Sequence, residues 1–160
     1  MLDTQQHPLK RRLAAIMFTD IVGYTAMMQE NEQATAAIRQ RHRAVFENEH
    51  QQHHGEIIQY YGDGTLSIFQ SAVEAVECAI VMQKHFQTGE IVPLRIGIHL
   101  GDIVFNNNDI YGDGVNVASR IETLGIPGCI LISDKLNFAV KNQSSISSES
   151  LGYFEFKNTK

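Results

Sequence analysis

Apolar runs broken by polar, glycine-bearing stretches divide the chain into short segments of two periodicities. From Leu13 to Phe18 the chain is apolar, then turns polar at Thr19 and Asp20, the pattern of a central strand carrying an acid at its C-terminal end. Between Tyr24 and about His54 it is polar and alanine-rich, with Ala37, Ile38, Arg41, Ala44, Val45 and Phe46 at helical spacing and Gly55 as a stop. One short and one long helix are expected there. "EIIQYY" and "TLSIF" are β-rich runs joined through "GDG", which predicts a hairpin with Asp63 at its tip, because tight turns need residues tolerant of positive φ. "SAVEAVECAIVMQKHF" places Val73, Val76, Ala79 and Ile80 on one helical face, opened by Ser71 as a cap and closed before Gly89.

In the second half, "PLRIGIHLGDIVF" reads as a strand from Leu94 to His99, a bend at Gly101 and a second extended stretch to Phe105, a further hairpin before the "NNND" turn cluster. "GDGVNVASRIETLG" predicts a helix entered through Gly112 and Asp113 and stopped at Gly125, with Val115, Ala118, Ile121 and Leu124 packing. A buried strand ("GCILIS"), a short helix ("DKLNFAV"), an exposed serine-rich loop ("SSISSES") and a closing strand ("LGYFEFK") complete the order. This succession suits an α+β fold on a ferredoxin-like βαββαβ core, one sheet with helices packed on it and an extra strand at the C-terminus. Residues 1–12 are expected to be a lead-in and 13–160 one domain, and the ending "FEFKNTK" directly after a strand pattern suggests a domain of something longer.

Composition narrows the functional classes. Hydrophobic residues make up 43% and charged residues 19%, with three prolines, so a packed globular module is expected rather than disorder. Thirteen basic against eighteen acidic residues give a net charge of -5, which argues against gripping nucleic acid by counterion release. "KRR" (Lys10 to Arg12) reads as a solvated approach to the first strand. No stretch has the length of a membrane span and the N-terminus lacks a signal-peptide core, so no membrane insertion and a cytoplasmic location are expected. Cys78 and Cys129 read as small buried hydrophobes without paired spacing. His50, His53 and His54 read as an exposed helix end, since no third ligand type accompanies them.

Candidate chemistry gathers around "YGDG", which occurs at Tyr61 to Gly64 and again at Tyr111 to Gly114. Asp20 at a strand end and Asp63 at a hairpin tip can meet if their strands are neighbours, and a small set of hard oxygens suits Mg²⁺ when phosphates complete its shell. Both positions also have structural explanations, since strand-end acids and turn aspartates are common. Asn116 and Arg120, four apart, share a helical face that could hold a phosphoryl group or could simply be solvated.

Taken together, "FTDIVGYTAMM", "GEIIQYYGDGTLSIF", "LRIGIHLGDI" and "DIYGDGVNVASRIETL" resemble, in order and spacing, the class III adenylyl/guanylyl cyclase catalytic domain, from about Leu13 to Lys157. The resemblance implies a nucleotide cyclase using two divalent ions, Mg²⁺ or Mn²⁺, in a head-to-tail homodimer with active sites at the subunit interface and regulatory domains elsewhere in the full-length protein. Asp20 and Asp63 match the family's metal-binding aspartates, and Ile21 the position whose carbonyl helps hold one ion. Asn116 matches the ribose-positioning asparagine, Arg120 the arginine that stabilises the transition state, and Lys157 the lysine that meets the triphosphate. In the family the metal residues come from one protomer and the rest of each site from its partner.

The purine-selecting positions fall on Gln59 and Asp109. Adenylyl members carry lysine with aspartate there, guanylyl members glutamate with a small residue. An ionised Asp109 accepts from adenine's exocyclic amine and repels guanine's carbonyl oxygen, while Gln59 can serve either base. ATP is the expected substrate, with GTP, or both nucleotides, the alternative. The rival from another class is a catalytically silent, nucleotide-binding or dimerising regulatory module, favoured by Gln59 and opposed by the joint presence of Asp20, Asp63, Asn116 and Arg120. A diguanylate cyclase would carry a GGDEF-type signature, which is absent.

Overall fold

The computed structural model describes residues 10–106 and 109–154. The apolar run around Leu13 belongs to a longer strand, β1 (Lys10–Ile21). It lies between β3 (Gly64–Phe69) and β4 (Leu94–Asn106) and is antiparallel to both. Lys10, Arg11 and Arg12, expected to precede the strand, are part of it because they pair with Phe105, Val104 and Ile103. The Arg12 guanidinium also lies 4.5 Å from the centroid of the Phe105 ring, a cation–π contact that holds the side chain along the sheet.

β2 (Glu56–Tyr61) flanks β3, and β5 (Asp109–Tyr111) pairs with the end of β4, so the order is β2-β3-β1-β4-β5. β6 (Ile130–Ile132) runs parallel to β4 along Ile96 to Ile98. The helices are α1 (Tyr24–Glu30), α2 (Glu32–Gln52), α3 (Ala72–Phe86), α4 (Asp113–Thr123) and α5 (Asp134–Val140). The side chains of Asn31, Ser71 and Ser133 accept hydrogen bonds from the first turns of α2, α3 and α5, satisfying amides that have no helical partner. The succession βα(α)ββαβ with β1 central is the ferredoxin-like core expected from the sequence. α2, α3 and α5 cover one face, over a core that includes Met17, Phe46, Phe69, Met82, Phe86 and Leu136. α4 lies on the other, with Ala118 against Ala14, Ile16, Leu66, Ile68 and Ile103.

The structure departs from expectation at several points. Gly101 is not a bend: β4 continues through it, paired to Ala14. A Cβ there would lie 3.0 Å from the His99 ring and 3.2 Å from Gly114 Cα, so the glycine serves the close approach of α4. The chain reverses only after Asn106, where β5 pairs back antiparallel to β4. Leu124 caps α4 and is 46% exposed rather than packed. Leu151 to Phe154 form no strand, and Lys157 lies outside the described residues.

His50 is the largest correction on the helical side. It is 1% exposed, with Nδ1 donating to Phe46 O and Nε2 accepting from Ser67 Oγ, each at 2.8 Å. The strand hydroxyl supplies what an exposed helix end would have taken from water. Cys78 is buried and Cys129 half-buried, both as free thiols.

Candidate active site

The proposed metal ligands are brought together by the hairpin that the sequence predicts. Asp20 and Gly64 are partners across β1 and β3, and Ile21 N donates to Asp63 O at 3.1 Å. Just inside, the buried hydroxyls of Thr19 and Thr65 meet at 2.5 Å. The turn therefore sits on the end of β1, with Asp63 beside Asp20. Its positive φ belongs to Gly62 (57°), not to the aspartate, so Asp63 keeps an ordinary backbone.

Two residues that sequence reasoning passed over complete this corner. Arg95, at the start of β4, faces Asp20 across the register and donates from Nε to Oδ1 at 2.7 Å and from Nη2 to Oδ2 at 2.9 Å. Nη1 reaches the carbonyls of Thr123 and Gly125 at 3.2 and 3.5 Å, at the C-terminal end of α4. Glu122 Oε2 lies 2.9 Å from the same Arg95 Nε, yet it is buried without a hydrogen bond, since that nitrogen has one hydrogen and gives it to Asp20. Burial pushes the Glu122 carboxyl up to about 7; the charges of Asp20 and Asp63 add to the rise and Arg95 opposes it. The Asp20 hydrogen bonds raise the Arg95 pKa above its ordinary value. The signals were present in sequence: Arg95 is a charge inside an apolar strand, and Glu122 stands next to Ile121 and four after Ala118, on the buried side of its helix.

Arg95 thus lies between Asp20 and Glu122, with Asp63 next to Asp20 on the turn, a surplus of negative charge with an orphaned carboxylate oxygen, which fits a hard divalent cation. Among the described residues no three His, Cys, Asp or Glu side chains enclose a metal position.

Asn116 and Arg120 do not join this corner. They precede Glu122 by six and two residues, about 240° and 200° round the helix, so the face bearing them is turned away from the one that puts Glu122 on Asp20. Asn116 is exposed and Arg120 half-buried. Gln59, exposed on β2, is in one row with Leu66, Phe18 and Gly97 across the sheet. The rings of Phe18 and Tyr61 stack beside it at 6.4 Å. Asp109 opens β5 at the opposite end of the strand order and is exposed.

A profile of the adenylate and guanylate cyclase catalytic domain matches residues 9–160. Among curated proteins, one of Rhizobium meliloti (strain 1021) named "Putative adenylate cyclase 3" is 40% identical over 94% of this chain; the chain spans 27% of that relative's length. An adenylate cyclase of Glutamicibacter nicotianae is 29% identical over 78% of the chain, which covers 30% of it. Among solved structures, an adenylate/guanylate cyclase/hydrolase from Silicibacter pomeroyi superposes with a TM-score of 0.86 at 35% identity, covering 95% of this chain and 93% of that one. The adenylyl cyclase CyaB from P. aeruginosa superposes with a TM-score of 0.76 at 26% identity, covering 86% and 84%.

Proposed function

The chain belongs to the adenylate and guanylate cyclase catalytic domain family, and on that premise we propose that it converts ATP to 3′,5′-cyclic AMP and pyrophosphate at a site shared by two copies of the domain. The observation that carries this reading is the division of the site within one chain. Asp20 and Asp63 meet at the end of β1, whereas Asn116 and Arg120 lie on the face of α4 turned away from them. A head-to-tail pair would offer the Asn116–Arg120 face of one copy to the Asp20–Asp63 corner of the other.

In the reaction the ribose 3′-hydroxyl loses its proton, its oxygen bonds the α-phosphorus, and the bond to the bridging oxygen of pyrophosphate breaks. Asp20, Asp63 and the Ile21 carbonyl would hold two divalent ions, Mg²⁺ or Mn²⁺, which supply Lewis acidity toward the hydroxyl and charge neutralisation at the phosphates. Arg120 stabilises the charge that develops at the α-phosphate, and Asn116 orients the ribose. Asp109 accepts from the exocyclic amine of adenine, which favours ATP over GTP, and Gln59 reads the neighbouring ring nitrogen. Lys157 is assigned to the triphosphate by resemblance alone. The greater length of the curated relatives supports attached regulatory domains. Among the described residues no helix is long and apolar enough to cross a membrane, and we place the domain in the cytoplasm with its substrate.

The test is the purified chain at high concentration with Mg²⁺ or Mn²⁺ and either ATP or GTP, scored for cyclic product by chromatography. Cyclic AMP is expected, with specific activity that falls on dilution as shared sites dissociate. No product from either nucleotide in a preparation shown to be dimeric would favour the silent regulatory module, and cyclic GMP as the main product would transfer the reading to a guanylyl cyclase.

A further inference from the structure

The bidentate contact of Arg95 takes both oxygens of Asp20. A divalent cation on either oxygen comes up against the guanidinium charge held there, and the repulsion favours displacing the charge-assisted fork. A guanidinium does not deprotonate in proteins, so a displaced Arg95 needs another acceptor. Glu122 is that acceptor by position: its Oε2 is buried, without a hydrogen bond, and 2.9 Å from Arg95 Nε. Its backbone is held close, because a Cβ on Gly97 would lie 2.5 Å from Glu122 N. The carbonyls of Thr123 and Gly125 keep hold of Nη1, so the guanidinium can pivot without leaving.

We propose that Arg95 and a divalent cation compete for Asp20, and that Glu122 is the positioning residue that receives the Arg95 Nε–H when the cation binds. The nucleotide-free chain then keeps its cation site closed by an internal ion pair, and loading is an exchange of partners. This rests on the reading of Asp20 as a cation ligand.

The experiment titrates the whole chain with Mn²⁺ alone, followed by electron paramagnetic resonance, and with Mg²⁺ alone, followed by the Arg95 Nε–H signal in NMR. Arg95→Lys keeps the charge and loses the fork, so it should bind Mn²⁺ about fivefold more tightly. Glu122→Gln should bind it more weakly by about the same factor. In the wild type, saturation with Mg²⁺ should move the Arg95 Nε–H signal while leaving it protected from solvent exchange, and Glu122→Gln should remove that protection. An unchanged Mn²⁺ affinity in Arg95→Lys or Glu122→Gln, or a wild-type signal that Mg²⁺ does not move, overturns the exchange. Asp20→Asn separates the two layers: Mn²⁺ binding that survives it undiminished overturns the ligand assignment itself, whereas binding that depends on Asp20 but ignores Arg95 removes only the competition.

Discussion

On the side of the sheet under α2, α3 and α5, eighteen buried side chains form one cluster among the described residues, while the α4 side gathers six, with Phe18, Ile58, Phe105, Ile110 and Val115 only partly covered. The first face stacks rings within α2 and across to α3, His42 on Phe46 at 5.3 Å and on Phe86 at 5.7 Å. The second keeps Gln59, Tyr61 and Asn116 open to solvent. Burial of this extent is where folding free energy is found, so the helical face is read as the source of stability. The thinner face and the β1 end, which carry Asp20, Asp63, Arg95 and Arg120, are read as the working surface. Substitutions can test that separation.

The largest expected effect is at the β1 end. Asp20→Ala or Asp63→Ala should bring metal-dependent turnover below detection while leaving thermal unfolding within a few degrees of wild type, since neither side chain belongs to the buried clusters. Wild-type turnover in either variant would sink the proposed function, and collapse of the fold would break the separation. Arg120→Ala comes next: a loss on the order of 10² to 10³ in turnover is what removing one transition-state charge partner costs. A loss confined to KM would instead give Arg120 a binding role.

The opposite face should respond to pH and not to nucleotide. Burial lowers the pKa of His42 and of His50 from 6.5 to about 4. Both are neutral when folded and gain a proton on unfolding below pH 6.5, so stability is full above 6.5, falls with pH, and is lost to this effect near 4. Between pH 6.5 and 5 each histidine should cost roughly 2 kcal/mol, measured by denaturant titration. His42→Phe suits the same ring stack and should remove roughly half of that slope. An undiminished slope would show that these rings do not carry the acid sensitivity.

This asymmetry also sets what the sequence could convey. Periodicity marked β1, the β2–β3 hairpin, α3 and α4, because each is a local pattern of apolar spacing and capping. The meeting of Asp20 and Asp63 was foreseeable, since a two-residue turn returns β3 along β2 and needs only β1 as its neighbour. Gly101 misled because a glycine that makes room for a helix reads the same as one that makes a turn. β5, three residues long, carries too little pattern to announce a strand. His50, Arg95 and Glu122 escaped for a shared reason: their partners Ser67, Asp20 and one another are far away in the chain, and a polar residue on a buried face is informative only once its partner is known. The opposed faces of α4 follow from helical spacing, but only the contact of Glu122 with Arg95 shows which face meets the Asp20 corner.

The smallest effect concerns the purine. Gln59 stands at the edge of the thinner face beside the Phe18–Tyr61 pair, a neutral amide where the family's adenylyl members carry lysine. Because the side chain is exposed and its row of the sheet is complete without it, Gln59→Lys should leave unfolding unchanged. An ammonium donates to adenine N1 with a full charge where the amide offers a dipole, a gain of about 1 kcal/mol or about fivefold in KM for ATP. The same ammonium can also donate to guanine's carbonyl oxygen, so it is the repulsion from Asp109 that must keep GTP out. Gln59→Lys should therefore lower KM for ATP and leave GTP a poor substrate. If GTP gains as much as ATP, the discrimination does not lie at Asp109, and the preference for adenine loses its physical basis.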